Sequence, residues 1–277
     1  MGYDPEFILG FDVPLPVLGP KAIKASFANG RVLDHSRFSL VLNQERGFAI
    51  YTAHNIDGAR LLPKGSIKRR DNFRVDPQIN PGFQVDDRRG YKNNPWDRGH
   101  LVRRAAMHWG DLDEAKLADS ETFFWTNIAP QHNRLHHGAW GKIENWMVEL
   151  ADSQKKQVNI FTGPIFTSDD VLHQNEADEA PIRIPAGFWK VLVINSELKL
   201  KAAGFLVWQF DYEKEKPVAF DPHLEQVRIT TLENIIGLSF GTLHNVDPML
   251  FVPIEKGLEI EEPGGGRFVL DKGDIIL

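Results

Sequence analysis

Three apolar runs constrain the fold most: Val158 to Thr162, Trp189 to Ile194 and Leu198 to Gln209. They are rich in β-forming residues and apolar enough to be central strands. The chain has 277 residues, 42% of them hydrophobic, which suffices for one large core or a core plus a small extension. Phe38 to Leu42 and Phe48 to Thr52 read as a hairpin joined by residues 43 to 47. Thr122 to Asn127 reads as a short aromatic strand. Trp140, Ile143, Met147, Leu150 and Ala151 recur at helical spacing and predict a helix from Gly138 to Ser153. A second helix is predicted over Thr230 to Leu238, with Thr230 and Glu233 in capping-box register and Gly237 near its end. Strands and helices do not alternate regularly, so the class is α+β.

Other segments restrict the function classes. The first 30 residues are punctuated by Pro and Gly and are expected to wrap the surface. Residues 60 to 98 are polar and interrupted by Pro77, Pro81, Gly82, Gly90 and Pro95. A loop that long inside a domain is usually functional. The tail after Pro248 looks strand-like, with a loop at Gly264 to Gly266 that is no phosphate loop, because no Lys-Ser/Thr follows it. No run of about 18 apolar residues occurs, so no membrane span is expected. Met1 to Gly10 carries two acids and no base and does not read as a secretory signal. The expectation is a cytoplasmic protein, or a secreted or delivered one whose leader has been trimmed. There are no cysteines, which excludes disulfides and thiolate metal sites. A metal here would need His, Asn, Asp, Glu or backbone oxygen.

The net charge of −6 runs against a partner made of phosphates. Its distribution changes that judgement. Between Lys64 and Arg104 there are eleven Lys or Arg against five Asp, a local +6 on a remainder of −12. Charge by itself points first to a solvated loop. It also suits a local anionic substrate. Histidines add a second signal, because five of the ten fall between His100 and His137. That window opens with Trp96-Asp97-Arg98-Gly99-His100 and contains Thr126-Asn127-Ile128-Ala129-Pro130-Gln131. It closes with Gly138-Ala139-Trp140 and Glu144.

Asp-Arg-Gly-His, then Asn-Ile-Ala-Pro-Gln, then Gly-Ala-Trp followed by Glu resembles the DNA/RNA non-specific endonucleases of the ββα-metal superfamily. Tyr3 to Phe7, Asn55 to Gly58, Asp71 to Arg74, Thr162 to Pro164 and Phe188 to Lys190 also resemble family blocks, in the right order. The resemblance covers roughly residues 1 to 240, with 241 to 277 as a C-terminal extension or part of the same domain. It implies a central, mostly antiparallel sheet flanked by helices, with a ββα-metal motif at the site. It implies cleavage of DNA and RNA to 5′-phosphate ends, with one divalent metal per site. It leaves room for an inhibitor or activating partner. The residues alone do not separate this from a nucleic-acid-binding relative with weakened chemistry, or from a phosphodiesterase of small substrates.

Phosphodiester hydrolysis needs an activated water, charge neutralisation and help for the leaving oxygen. His100 matches the family's general base, and a neutral imidazole can take a proton from water. Asp97 and Arg98 are expected to build the site, with Asp97 as a direct metal ligand the alternative. Gly99 is expected to permit a tight turn before the base. The family's metal ligand is an asparagine, and the matching residue here is His136. Asparagine oxygen suits Mg2+, whereas imidazole suits Mn2+, Ni2+ or Zn2+. His136 is therefore expected as the ligand, with Asn133 or His137 taking over, or loss of activity, as open alternatives. Glu144 matches the glutamate that holds metal-bound water, and Asn127 a structural asparagine near the site. The phosphate-clamping arginine does not align securely. Arg70 is the first choice, with Arg74, Arg103 and Arg104 as substrate-binding candidates. The remaining histidines and Trp125, Trp140, Trp146 and Trp189 read as structural.

Overall fold

Strand pairing of the apolar runs builds one wide sheet. The structure is a computed structural model that describes residues 1–209, 224–252, 266–269 and 271–277. In chain order the principal strands begin with β1 (Val32–His35), β2 (Phe38–Asn43), β3 (Phe48–Asp57), β4 (Trp96–His100) and β5 (Ile128–His132). They continue with β6 (Gln157–Ile165), β7 (Gly187–Ser196), β8 (Lys199–Trp208), β9 (Leu224–Val227) and β10 (Arg267–Val269). The main helices are α1 (Leu112–Glu121), α2 (Asn133–His137), α3 (Ala139–Gln154) and α4 (Ile229–Ile236). Eight strands form an antiparallel sheet in the order β10-β9-β8-β7-β6-β3-β2-β1. Strands β4 and β5 form a separate antiparallel pair.

The central strands are buried on both faces because their alternate residues enter two cores. On β7, Phe188, Leu192 and Ile194 join one core, and Trp189, Val191 and Val193 join the other. The first core includes Trp140, Ile143 and Met147 of α3, and the second Ile229 and Leu232 of α4. Each large apolar side chain so buried contributes roughly 1.5–3 kcal/mol. The N-terminal segment does more than wrap the surface. Tyr3, Ile8 and Val13 fill the second core, and the Tyr3 hydroxyl donates to the Val13 carbonyl at 2.6 Å.

Three local expectations are corrected. Thr122 to Asn127 is not a strand: Trp125–Asn127 form a 3-10 turn, and the strand begins at Ile128. The aromatics are held by ring packing, with Phe123 edge-on to Phe73 at 5.1 Å and Trp125 stacked on Phe73 at 5.3 Å. The capping box at Thr230 does not form, because α4 starts at Ile229, whose N–H donates to Asp247 Oδ2. Glu233 accepts instead from the Phe240 N–H at 2.6 Å. Beyond Pro248 the chain first makes a 3-10 turn, Pro248–Phe251. Gly264 and Gly265 lie outside the described residues. Further on, β10 joins the sheet edge, and the Gln226 amide bonds the backbone of Ile276 at 2.8 and 2.9 Å. Among the described residues no helix is long and apolar enough to cross a membrane.

His54 of β3 is buried, and its Nδ1 has no hydrogen-bond partner among the described residues. Burial, with a smaller effect from the Lys190 charge, pushes its pKa from 6.5 down to about 3. The unfolded chain therefore binds one more proton between these values, so stability falls as pH drops through that window. Replacing His54 by Gln is expected to flatten the pH dependence of urea-unfolding stability there by up to about 1.4 kcal/mol per pH unit. An unchanged slope would show that His54 is not buried neutral.

Candidate active site

The site grows from the β4–β5 pair and the helices that follow it. Asp97 pairs with Gln131, Arg98 with Pro130, Gly99 with Ala129 and His100 with Ile128. Pro130 is tolerated because a two-stranded ladder has only edges. Helix α2 follows β5 at once, and Gly138 alone separates it from α3. This is a ββα unit, seated on the first core through Leu101, Ile128, Leu135 and Trp140.

Gly99 lies inside β4, not in a turn, so the expected reason for glycine is corrected. A Cβ there would collide with the side chain of Gln131, which is fully buried and cannot swing away. Gly99→Ala is expected to cost about 1–3 kcal/mol through overpacking. Chemical denaturation measures this, and a neutral effect would mean that Gln131 has room to move.

A cleft of about 540 Å³ opens beside the hairpin, walled by Arg69, Phe73, Asp97, Arg98, Trp125 and His136, among others. Its floor is aromatic: Phe73 stacks on Trp125, and Trp125 on Tyr91 at 5.7 Å. The Arg98 guanidinium lies 5.4 Å above Phe73, and its Nε donates to Asp87 Oδ1 at 2.7 Å. Arg69 pairs with Asp71 at 2.6 Å. The cleft thus combines flat apolar surface with two arginines, each paired to an aspartate of the same wall.

His100 stands between aromatics, 4.9 Å from Phe123 and 5.7 Å from Phe73, which faces the cleft. Its Nε2 is buried without a hydrogen-bond partner among the described residues. Burial pushes its pKa down to about 3, reinforced by the charges of Arg69, His136 and Arg104 and opposed by Asp119. The imidazole is therefore neutral at physiological pH, and its Nε2 is not engaged by another group of the described residues.

Asp97 joins the hairpin to the helix. Its Oδ2 lies 2.9 Å from His136 Nδ1 and 3.1 Å from His137 Nε2. Burial opposes ionisation of Asp97, but the His136 hydrogen bond and the nearby imidazoles outweigh it and lower its pKa. Asp97, His136 and His137 each offer a donor atom, all within 4.8 Å of one another, so they form a candidate metal site. Asn133 sits exposed at the start of α2.

Glu144 lies in a different environment. It is buried, with Oε2 accepting from Arg103 at 3.0 Å and Oε1 3.1 Å from Lys190 Nζ. Lys190 is buried too, donates to Thr162 Oγ1 at 2.9 Å and lies 4.5 Å over the Trp140 ring. Burial lowers its pKa, and the Glu144 charge resists that shift. Asn127 accepts from the Val102 N–H and donates to the carbonyls of Val102 and Thr122, fixing the segment after His100.

The arginines separate by position. Both Arg69 and Arg70 are exposed, but only Arg69 of the two lines the cleft. Arg74 donates to Ser120 and lies 4.2 Å over Phe124, and Arg104 pairs with Asp119 at 2.9 Å. Arg103 is held by Glu144 and Asn145. Sequence reasoning missed Arg69, Phe73 and Lys190 as site residues. Arg69 was signalled only by its place in the basic segment. Lys190 was signalled by a lysine in an otherwise apolar central strand, which demands a buried partner.

The profile of the DNA/RNA non-specific endonuclease family matches residues 21–247. A protein of Sinorhizobium fredii, uncharacterized protein y4fB, is 37% identical over 235 residues, 78% of this chain and 34% of that protein. The chain thus spans about a third of the length of this relative. A nuclease of Nostoc sp. is 26% identical over 228 residues, 81% of this chain and 77% of the relative. Human mitochondrial endonuclease G is 27% identical over 159 residues, 53% of this chain and 49% of its own. In fold, a chain of the crystallised EndoG/EndoGI complex superposes with a TM-score of 0.58 at 22% identity, covering 76% of this chain and 86% of the other.

Proposed function

Because the chain belongs to the DNA/RNA non-specific endonuclease family, we propose that it is a metal-dependent endonuclease that hydrolyses phosphodiester bonds of DNA and RNA. The observation that carries this reading is His100, a neutral imidazole set behind the aromatic floor of an arginine-walled cleft. His100 acts as general base and takes the proton of the attacking water. Arg98 and Arg69 hold phosphate oxygens as charge develops. Such contacts carry no base information, which accounts for low sequence selectivity. Phe73 and Trp125 offer a flat surface to a base or sugar. The ends left are a 5′-phosphate and a 3′-hydroxyl.

One divalent metal per site belongs to this reading, held at the His136 end of the cleft. When bound, it neutralises charge on the phosphate and leaving oxygen. Mg2+ and Mn2+ are candidates, and the imidazole donors admit Ni2+ or Zn2+. Glu144 holds Arg103 and Lys190 in place behind α3. A protein inhibitor also fits, since the EndoG chain of similar fold is seen in complex with EndoGI. A nuclease of this kind in the cytoplasm of its own cell would require such restraint.

The test is cleavage of supercoiled plasmid and single-stranded RNA across Mg2+, Mn2+, Ni2+ and Zn2+. Wild type is expected to degrade both. His100→Ala is expected to lose about 10²–10⁴-fold in turnover with folding and DNA binding retained. Near-wild-type turnover in that variant would remove His100 from the mechanism.

A further inference from the structure

Residues next to each other on a helix point about 100° apart and do not normally face one target. His136 and His137 nevertheless converge on one oxygen, Asp97 Oδ2, at 2.9 and 3.1 Å. Convergence is possible because His137 is the last residue of α2 and Gly138 ends the helix. The three groups come from two elements, β4 and α2, so the sequence alone does not bring them together. His137 is exposed and His136 and Asp97 are half-buried, so the donor set opens onto the cleft.

We propose that Asp97, His136 and His137 together form a two-histidine, one-carboxylate metal centre that takes a borderline first-row ion such as Mn2+, Co2+ or Zn2+ in preference to Mg2+. The proposal deepens the nuclease reading and rests on it for what the ion is used for, but not for whether the ion binds. One geometric and one chemical argument support it. A divalent ion with bonds of about 2.1 Å holds adjacent ligands roughly 3 Å apart when they meet at right angles. The spacings of 2.9 and 3.1 Å are those of hydrogen bonds and also match that edge, so an ion can replace the bridging protons once the rings turn their lone pairs toward it. The donors also decide the selectivity. Mg2+ requires hard oxygen and keeps most of its waters, whereas imidazole favours the borderline ions. A site with two imidazoles and one carboxylate therefore departs from the single asparagine oxygen that the family resemblance places at His136.

Calorimetric titration of the full chain with Co2+ and with Mg2+ tests this, together with the visible absorption of the Co2+ complex. Wild type is expected to bind Co2+ at least about 100-fold more tightly than Mg2+ and to show the spectrum of a nitrogen- and oxygen-ligated ion. His137→Ala and Asp97→Asn are each expected to weaken Co2+ binding about tenfold or more and to change that spectrum. His137 is exposed, so its variant should fold even if Asp97→Asn does not, and thermal unfolding checks both. Unchanged Co2+ affinity and spectrum in folded His137→Ala would overturn the three-ligand centre, as would equal affinity for Mg2+. Cleavage is scored separately. Metal binding with these losses but no cleavage of any polynucleotide would support the centre and sink the nuclease reading. Cleavage with Co2+ affinity indifferent to His137 would do the reverse.

Discussion

One oxygen of Asp97 meets two imidazoles that arrive from a different element, and the geometry of the site follows from that contact. Asp97 sits on β4, and His136 and His137 sit on α2. Their meeting ties the hairpin to the helix. It also places Asp97 and His100 on one short strand, three residues apart. The contact depends on charge. The pKa of Asp97 is lowered in the fold, so its stabilisation is present above the unfolded value and is lost as acid protonates it.

That local geometry is precise only because its support is rigid. The hairpin lies against a sheet whose central strands are packed on both faces, and α3 pins the unit through Trp140, Ile143 and Met147. Lys190 reaches from β7 to Glu144 of α3, and Glu144 holds Arg103 of the segment after His100. Removing one partner of such a buried pair strands the other in low dielectric, so the three groups stand or fall together. Gly99 and Gln131 show the same economy of space, since the close approach of one requires the absence of a side chain on the other.

Much of this was legible in the sequence. The apolar runs became β6, β7 and β8, the helical spacing from Trp140 became α3, and the ordered motifs identified the family before any coordinate was known. What was not legible depended on distance in space. Arg69 and Arg70 are neighbours of one type, and only the path of the loop decides which walls the cleft. Thr122 to Asn127 carries strand-forming residues, but its rings find tertiary partners in Phe73, His35 and His100 and the ladder starts later. The Thr230–Glu233 spacing was real, yet Asp247 from a later segment satisfied the helix start instead. In each case a long-range contact outweighed a local preference.

The central claim is that Asp97, His136 and His137 are one donor set lying beside a neutral His100. Crystals of the protein soaked in Mn2+, with diffraction recorded at the manganese edge, test it most directly. The account predicts an anomalous peak within bonding distance of Asp97 Oδ2, His136 Nδ1 and His137 Nε2 together. A peak bound to His136 without Asp97 and His137, or one placed instead at Glu144, would contradict it.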